Sequence, residues 1–258
     1  MLDAAVQLSA LAAALAVMLS AWAVSVALRD AGVADIAWGL AFIGIALIAG
    51  VVGDGDGDRS LLIELLVIAW GARLAAHITE RHDGEDRRYA AMREKHGNFA
   101  LRSLWSVFGT QALIAFVISL PIQVAATDPT PASLGPLAWI GAAVAAFGIL
   151  FEAVADAQLR AFTKDPANKG EVMDRGLWRY SRHPNYFGEV CVWWGIWLVA
   201  LETGSAWWTA IGPAVLTFLL LRVSGIALTE KTISSRRPGY AEYVRRTSAF
   251  VPLPPKRA

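Results

Sequence analysis

Residues 136–159, "PLAWIGAAVAAFGILFEAVADAQL", form a nearly continuous apolar run. A helix that crosses a bilayer needs about 20 predominantly apolar residues, so this run is long enough to span a membrane. It also carries Glu152 and Asp156 near its end, four residues apart. Carboxylates at membrane depth are costly unless they have partners or a function. The stretch therefore predicts a membrane-spanning helix with a polar site at one end.

Similar apolar runs recur along the whole chain. Its residues are 56% hydrophobic and 17% charged, whereas ordinary soluble domains contain about 25% charged residues. We predict an all-α integral membrane protein, a seven-transmembrane-helix bundle that forms a single domain over residues 1–258. The predicted spans are residues 4–28, 31–52, 60–79, 104–126, 136–159, 185–202 and 206–227.

The distribution of Lys and Arg predicts the orientation of these spans. Six lie in the 80–103 loop, six in the 160–182 segment and seven after Thr229, whereas the connections on the other side contain only Arg59. Lys and Arg are enriched in the cytoplasmic connections of membrane proteins. The three basic segments are therefore assigned to the cytoplasm. With seven spans, the C-terminus is cytoplasmic and the N-terminus lies outside.

The sequence argues against several other kinds of site. The basic residues lie between predicted spans and are interleaved with acidic ones, so we expect no nucleic-acid partner. The four histidines are scattered, at positions 77, 82, 96 and 183, so we expect no metal site. The lone Cys191 lies inside a predicted span, where it is most simply a small buried residue.

The segment "RYSRHPNYFGE", residues 179–189, places basic side chains directly before a predicted helix. Pro184 suits the first turn of a helix and Ser181 suits the cap before it. Asn185 and Glu189 then lie four residues apart on one helix face. Basic side chains next to free backbone N–H groups favour an anion. The pattern indicates a ligand site, and the alternative is an ordinary basic flank of a membrane helix.

Two other helices carry polar residues at regular spacing. Glu152, Asp156, Arg160 and Lys164 follow one another at four-residue intervals, which predicts one polar face, either salt-bridged or facing a ligand. In the third span, Trp70, Arg73 and His77 share a helix face. An Arg at this depth is costly, so Arg73 is expected to pair with Asp35 of the second span or to face a ligand.

These segments resemble the bacterial branch of the steroid 5-alpha-reductase family. The resemblance rests on "AWGARLAAHITERHDGEDRRY" (69–89), "ADAQLRAFTKDPANKG" (155–170), "GLWRYSRHPNYFGE" (176–189) and "TEKTISSRRPGYAEYVRRTSAFVPLPP" (229–255). It implies a seven-helix bundle that binds NADPH in a cytoplasm-facing cavity. It also implies that the cationic loops hold the cofactor's phosphates, and that Asn185 and Glu189 lie near the nicotinamide or its ribose.

The resemblance extends to particular residues, with two departures. The family's Asn-aromatic-x-Gly-Glu segment matches residues 185–189, and Asp156 and Arg73 match two further family positions. The animal enzymes engage the substrate carbonyl with a Gln-Glu pair and a Tyr. Asp35 and Trp70 stand nearest those positions here, but neither is an identical match, and Trp cannot donate a hydroxyl proton.

The expected reaction is hydride transfer from NADPH to an electron-poor double bond of an apolar, lipid-like substrate. An acid near the developing enolate oxygen would assist it. The candidate catalytic residues are Asp35, Trp70 and Tyr186. The candidate cofactor-binding residues are Arg73, His77, Arg88, Tyr89, Asp156, Gln158, Lys164, Lys169, Arg175, Arg179, Tyr180, Arg182, His183, Asn185, Glu189 and Glu230. We expect a monomer among membrane lipids in a bacterial inner membrane.

Two alternatives remain open from the sequence. "RHPNYFG" also resembles the Arg-His-Pro-x-Tyr-x-Gly motif of the isoprenylcysteine carboxyl methyltransferases, which use S-adenosylmethionine. That cofactor has no phosphates, and those enzymes usually show a Glu-Glu pair where this chain has Glu230 and Lys231. The second alternative is a lipid-binding or transport protein, against which we find no internal inverted repeat.

Overall fold

The computed structural model describes residues 3–95, 97–233, 237 and 239–256, without the side chains of Lys231 and Thr232. Within these residues the regular structure is helical, and one isolated bridge joins Ser181 to Ser248. The described α-helices are α1 (Ala4–Leu28), α2 (Val33–Val52), α3 (Gly57–Arg81), α4 (Arg87–Lys95), α5 (Phe99–Ser103), α6 (Thr110–Ile118), α7 (Leu120–Ala125), α8 (Pro136–Lys164), α9 (Pro184–Leu201), α10 (Ile211–Phe218), α11 (Ile226–Ile233) and α12 (Tyr240–Arg246). Two π-helical turns, Leu104–Gly109 and Leu219–Val223, join α5 to α6 and follow α10.

Six helical segments of the described chain are long and apolar enough to cross a membrane. They are Ala4–Leu28, Val33–Val52, Gly57–Arg81, Phe99–Ile118, Pro136–Lys164 and Trp207–Glu230. Each overlaps a span predicted from the sequence. The fourth was predicted as residues 104–126 and is shifted towards the N-terminus, because a separate short helix begins at Leu120. The chain therefore has the architecture of a multi-pass helical membrane protein.

The remaining predicted span, residues 185–202, corresponds to α9. This helix has 18 residues, which is near the lower limit for crossing the hydrocarbon core. Its first turns contain Asn185 and Glu189, and its second half contains three tryptophans, so it is less apolar than the other six. The seventh span and the orientation of the bundle stay predictions.

Helix ends follow ordinary capping rules. The side chain of Asp3 accepts hydrogen bonds from the backbone N–H groups of Ala5 and Val6, which caps α1. Asp56 caps α3 in the same way through Arg59. At the other end of α1, Arg29 adopts a left-handed conformation with φ 57°, a common way to end a helix. These caps explain why α1 begins and ends, and α3 begins, where their apolar runs do.

The described chain divides into two compact units. The first contains Met1–Ala142 and Ile196–Gly212. In it, α2 and α3 approach closely at paired glycines, since a Cβ on Gly71 would lie 2.7 Å from the carbonyl oxygen of Gly39. Small residues at such crossings let membrane helices pack backbone to backbone. Phe42 packs edge-on against Trp70, with ring centroids 5.5 Å apart.

The second unit contains Ala143–Gly195 and Pro213–Ala258. Here Gly148 of α8 and Gly188 of α9 form the close approach, because a Cβ on Gly188 would lie 2.8 Å from the carbonyl oxygen of Gly148. A smaller apolar cluster of Phe162, Met173 and Trp178 packs under the loop that follows α8. The single-domain prediction stays a prediction.

Candidate functional site

Asp35 is the centre of a polar cluster in the first unit. It lies in the first turn of α2. One carboxylate oxygen accepts a hydrogen bond from Arg88 at 2.9 Å, and the other accepts one from the hydroxyl of Tyr89 at 2.8 Å. Arg88 also donates to Asp86 at 2.9 Å. The structure thus brings together three predicted site residues, Asp35, Arg88 and Tyr89.

The Tyr89 side chain is the buried member of this cluster. Only 7% of it is exposed, and burial, together with the nearby Asp35 charge, raises the pKa of its hydroxyl well above the usual value. The phenol therefore stays protonated at neutral pH. It is a proton-bearing group that Asp35 holds in a fixed orientation.

A second set of contacts fixes the chain on either side of this cluster. Glu85 accepts two hydrogen bonds from Arg93, at 2.6 and 2.9 Å, and one from the backbone N–H of Ala31 at 2.9 Å. The bond from Arg93 lowers the pKa of Glu85 below its ordinary value. His82 and Asp30 lie 2.6 Å apart. The turn that leads into α2 is therefore tied to the segment after α3.

The third-span candidates occupy different environments. Trp70 is completely buried and packs on Phe42, which is a core position. Arg73 and His77 follow it on α3 and are half-buried, and buried nitrogens belong to both side chains. The catalytic role predicted for Trp70 stays a prediction, and the observed packing gives it a structural role.

Arg182 is the centre of a network in the second unit, which we call the Arg182 network (Arg182, His183, Glu230 and Thr247). Arg182 is 9% exposed. It donates two hydrogen bonds to the carboxylate of Glu230, at 2.7 and 3.2 Å. Its remaining terminal nitrogen donates to the carbonyl oxygens of Thr247 at 2.6 Å and Val244 at 3.2 Å. The anion next to this guanidinium is therefore a carboxylate of the chain itself.

His183 completes the Arg182 network. Its Nε2 lies 3.2 Å from Glu230, and its ring stacks parallel on Tyr186 with centroids 5.4 Å apart. The Ser181 hydroxyl accepts a hydrogen bond from the His183 backbone N–H at 3.1 Å, and α9 begins at Pro184. The predicted first helical residue, Pro184, is confirmed, whereas the Ser181 hydroxyl binds the N–H of His183 just before α9 and not an N–H inside the helix. Tyr186, a predicted catalytic residue, is half-buried beside this network.

Asn185 and Glu189 follow on α9. Glu189 is 8% exposed. The side-chain oxygen of Asn185 is buried, and among the described residues it accepts no hydrogen bond. An unsatisfied buried acceptor costs about 1–3 kcal/mol, so this oxygen is suited to a donor from a ligand.

Buried acids on α8 lie in the same unit. Glu152 and Asp156 are only 3% and 4% exposed. Two residues after Asp156, Gln158 accepts a hydrogen bond from the backbone N–H of Leu177 at 2.9 Å, beside Gly176 with φ 56°. A side chain at Gly176 would collide with the Gln158 amide. The Gln158 side chain therefore holds the basic loop in place by binding the backbone of Leu177.

The other predicted cofactor-binding residues around this loop are exposed, whereas Arg182 is buried. Arg175 and Arg179 line a cavity of about 600 Å³ together with Arg246 and Lys256. Lys164, Lys169 and Tyr180 are exposed and do not line this cavity. Arg236 and Arg257 of the basic tail lie outside the described residues, as does His96.

Sequence reasoning missed the part that the C-terminal tail plays in this region. The hydroxyl of Tyr243 donates to the carbonyl oxygen of Trp178, and Leu253 N–H donates to the carbonyl oxygen of Tyr180 at 3.0 Å. These contacts join residues 65 and 73 positions apart in the sequence, which local periodicity cannot reveal. The two tyrosines of "YAEY" (240–243), both buried, were the available signal.

Each of the two clusters has its own chemistry. In the first unit, a buried phenol donates its hydroxyl proton to a carboxylate. The second unit has an amide oxygen free to accept a hydrogen bond and a cation-lined cavity. Within the described part of the chain, no group of three or more His, Cys, Asp or Glu side chains is arranged to hold a metal ion.

Comparison with known proteins gives a family without an assigned activity. No curated protein and no solved structure matches the chain. The profile of the family described as "Protein of unknown function (DUF1295)" matches residues 21–247, which is most of the chain. The chain therefore belongs to the DUF1295 family.

Proposed function

We propose that this chain is a membrane-embedded, NADPH-dependent reductase that acts on an activated C=C bond of an apolar lipid. The proposal includes a single domain with seven spans, an outer N-terminus and a cytoplasmic C-terminus. It also places the protein, as a monomer, in a bacterial inner membrane. The steroid-, isoprenoid- and fatty-enone classes all fit a substrate that enters from the bilayer.

The observation that carries the proposal is the Asn185 side-chain oxygen. It is buried at the start of α9 without a hydrogen-bond donor among the described residues. The neighbouring Arg182 and His183 are already engaged by Glu230. Asn185 is therefore the group in this motif that is ready for a ligand. A carboxamide N–H, such as that of nicotinamide, is a matching donor.

The residues of the second unit fit such a dinucleotide. Asn185 and Glu189 offer acceptors for amide and ribose hydroxyl groups, and Arg175 and Arg179 offer positive charge for phosphates. When bound, NADPH supplies a hydride to one alkene carbon and leaves as NADP⁺, while the other carbon gains a proton. The protein's part is to orient the two reactants and to supply that proton.

Tyr186 is the hydroxyl of the second unit best suited to supply the proton. It follows Asn185 directly, and its ring stacks on His183 with centroids 5.4 Å apart. A hydroxyl near the substrate can donate to a developing enolate oxygen. In the first unit, the one hydroxyl proton of Tyr89 is donated to Asp35 at 2.8 Å, and the catalytic role of Asp35 stays a prediction.

The family assignment supports the reductase over the methyltransferase. DUF1295 is associated with steroid 5-alpha-reductase-like proteins. S-adenosylmethionine carries one carboxylate and no phosphate, so it has less negative charge for several arginines to bind than NADPH has. The Glu230 side chain binds Arg182 and His183 of the shared "RHPNYFG" motif and also interacts with Tyr240, which is a structural role.

The proposal is tested with the full-length, detergent-purified chain by titrating NADPH and following the fluorescence of the reduced nicotinamide. We expect saturable binding that Asn185→Ala weakens about tenfold, because the amide hydrogen bond is lost. Asn98→Ala is the matched control, since Asn98 caps α5 through Leu101 and is outside the proposed site.

Two results would contradict this account. The first is equal NADPH affinity in wild type and Asn185→Ala, which removes Asn185 from the site. The second is the absence of NADPH binding by a folded wild-type protein that binds S-adenosylmethionine, which replaces the reductase with the methyltransferase.

A further inference from the structure

The cavity of about 600 Å³ in the second unit has a charged lining. Its cations are Arg175, Arg179, Arg246 and Lys256, and its carboxylates are Asp174 and Glu242. Four positive side chains face two negative ones, which leaves an excess of two positive charges. This volume is within the range of small-molecule sites, about 300–1,000 Å³.

The cations in this cavity differ in what already binds them. Arg246 forms an ion pair with Asp174, and the Arg175 guanidinium lies 5.7 Å from the centre of the Phe162 ring. Arg179 and Lys256 form no ion pair with any carboxylate that the structure describes. They are both exposed at the rim. The positive charge open to a ligand therefore comes mainly from these two side chains.

Arg182, in the Arg182 network, differs from Arg179 in what already binds its guanidinium. Arg182 is bound by one carboxylate and two carbonyl oxygens, so its charge and donors are used inside the protein. Arg179 lies three residues earlier in the same motif and has none of these partners. A ligand anion near this motif would therefore meet Arg179 before it met Arg182.

The C-terminal tail holds the two walls of the cavity together. Lys256 N–H donates to the carbonyl oxygen of Arg246 at 2.9 Å, and Arg182 N–H donates to that of Ser248 at 2.9 Å. The Ser181 hydroxyl donates to the carbonyl oxygen of Phe250 at 2.7 Å. The positions of Arg246 and Lys256 are thus fixed against the loop that carries Arg179. Such preorganisation lowers the entropic cost of binding.

We propose that this cavity is a binding site for a phosphate monoester, completed by Arg246 and Lys256 of the C-terminal tail. A phosphate monoester carries about −1.5 to −2 charges at pH 7, which matches the excess of two positive charges. Arginines bind phosphate oxygens with paired hydrogen bonds. The cavity exceeds the size of a phosphate group, so it also accommodates part of the molecule that bears it.

We consider two sources of a phosphate monoester at a membrane surface. One is the 2′-phosphate of NADPH, an identification that rests on the proposed function. The other is a lipid with a phosphate monoester headgroup, such as phosphatidic acid. Only the first distinguishes NADPH from NADH, because NADH lacks the 2′-phosphate. The test therefore has a nucleotide arm and a lipid arm.

The experiment compares the full-length protein with the double variant Arg179→Gln/Lys256→Gln. The control is Arg245→Gln, which removes one positive charge from α12 beside Arg246 without changing the cavity lining. Affinities are measured for NADPH and NADH, and for vesicles of phosphatidylcholine with or without phosphatidic acid. Thermal unfolding of each variant confirms that it folds.

For a nucleotide phosphate, we expect the double variant to bind NADPH at least about tenfold more weakly, with a much smaller loss for NADH, which lacks the 2′-phosphate. The control variant keeps the wild-type preference. If the double variant instead loses affinity for phosphatidic acid vesicles alone, the phosphate site stands with a lipid as its source. In that case an absence of nucleotide binding counts against the proposed function and not against the site.

Other outcomes overturn the phosphate site. Wild-type protein that binds NADPH and NADH equally, with no dependence on phosphatidic acid, keeps the proposed function and removes this cavity from it. Equal losses for NADPH and NADH in the double variant would show a general charge effect. A folded wild-type protein that binds neither nucleotide nor phosphatidic acid contradicts both proposals.

Discussion

Arg179 and Arg182 lie three residues apart in one motif, and the structure gives them opposite environments. Arg182 is 9% exposed and bound to Glu230 and two backbone carbonyls. Arg179 is exposed at a cavity and has no described carboxylate partner. A basic motif therefore contains both cations that hold the fold together and cations that remain open to a ligand. Only long-range contacts distinguish the two kinds.

Removing Arg182 should have the largest effect on stability. Arg182→Met leaves Glu230, which is 24% exposed, without its main partner and also frees the carbonyls of Val244 and Thr247. We expect the free energy of unfolding to fall by about 3 kcal/mol, since breaking a largely buried ion pair is strongly destabilising. Unfolding of the purified protein by heat or denaturant measures this.

Arg179→Met is the control for that comparison. Because Arg179 is exposed, its replacement should change the free energy of unfolding by less than about 0.5 kcal/mol. Similar losses in the two variants would show that the contrast between the two arginines is wrong.

The close approach of α8 and α9 beside this motif gives the next largest effect. A Cβ at Gly188 would lie 2.8 Å from the carbonyl oxygen of Gly148 and from the backbone nitrogen of Glu152. Gly188→Ala should therefore push the helices apart and cost about 2 kcal/mol. Gly57→Ala, at the start of α3 where a Cβ meets nothing within 4 Å, should be neutral in the same thermal assay. A neutral Gly188→Ala would mean that this crossing is looser than described.

Tyr89→Phe tests whether the hydrogen bond from Tyr89 to Asp35 stabilises the first unit, as the Arg182–Glu230 contacts are expected to stabilise the second. It removes the donor to Asp35 and should lower stability by about 1.5 kcal/mol, the scale of a hydrogen bond to a charged group. Tyr180→Phe, at a side chain that is 43% exposed, should have almost no effect on unfolding. If Tyr89→Phe also has none, the phenol is not held by Asp35.

The smallest expected effect is the pH dependence of the Glu85–Arg93 pair. Because the hydrogen bond from Arg93 holds the pKa of Glu85 below its ordinary value of about 4.5, the stability that this bond adds is fully present above about pH 4.5. That stability is lost as pH falls through the lower pKa of the folded state. Wild type should exceed Glu85→Gln by about 0.5 kcal/mol at pH 7, and the difference should vanish in acid. A stability difference that grows as the pH falls would contradict a lowered pKa of Glu85 in the folded state.

Local pattern predicted most of the fold. The length of the apolar runs alone located α1 and the other five apolar spans. The free energy of transferring about 20 residues into lipid is a sum over single residues and does not depend on their tertiary contacts. The short helices Arg87–Lys95 in the basic loop and Tyr240–Arg246 in the tail lie outside the predicted spans. The helix α8 continues beyond predicted residue 159 to Lys164, where charged residues extend the helix past the apolar stretch.

The candidate site was less accessible from sequence. The basic side chains of residues 179–189 predicted an anion-binding site. The observed anionic partner of Arg182 is Glu230, 48 residues away in the sequence. Nothing in the local spacing indicates that pairing. The contribution of Arg246 and Lys256 depends in the same way on how the tail returns to the loop. Spacing along one helix predicts which residues share a face, and it does not predict which element covers that face.

The most direct test of the reductase is ligand-induced thermal stabilisation of the wild-type protein by NADPH, NADH and S-adenosylmethionine at matched excess. A ligand at about 100 times its dissociation constant adds roughly 2.7 kcal/mol to folding stability. The account predicts a clear upward shift with NADPH and none with S-adenosylmethionine. A shift with S-adenosylmethionine alone would contradict it and would assign "RHPNYFGE" to a methyltransferase.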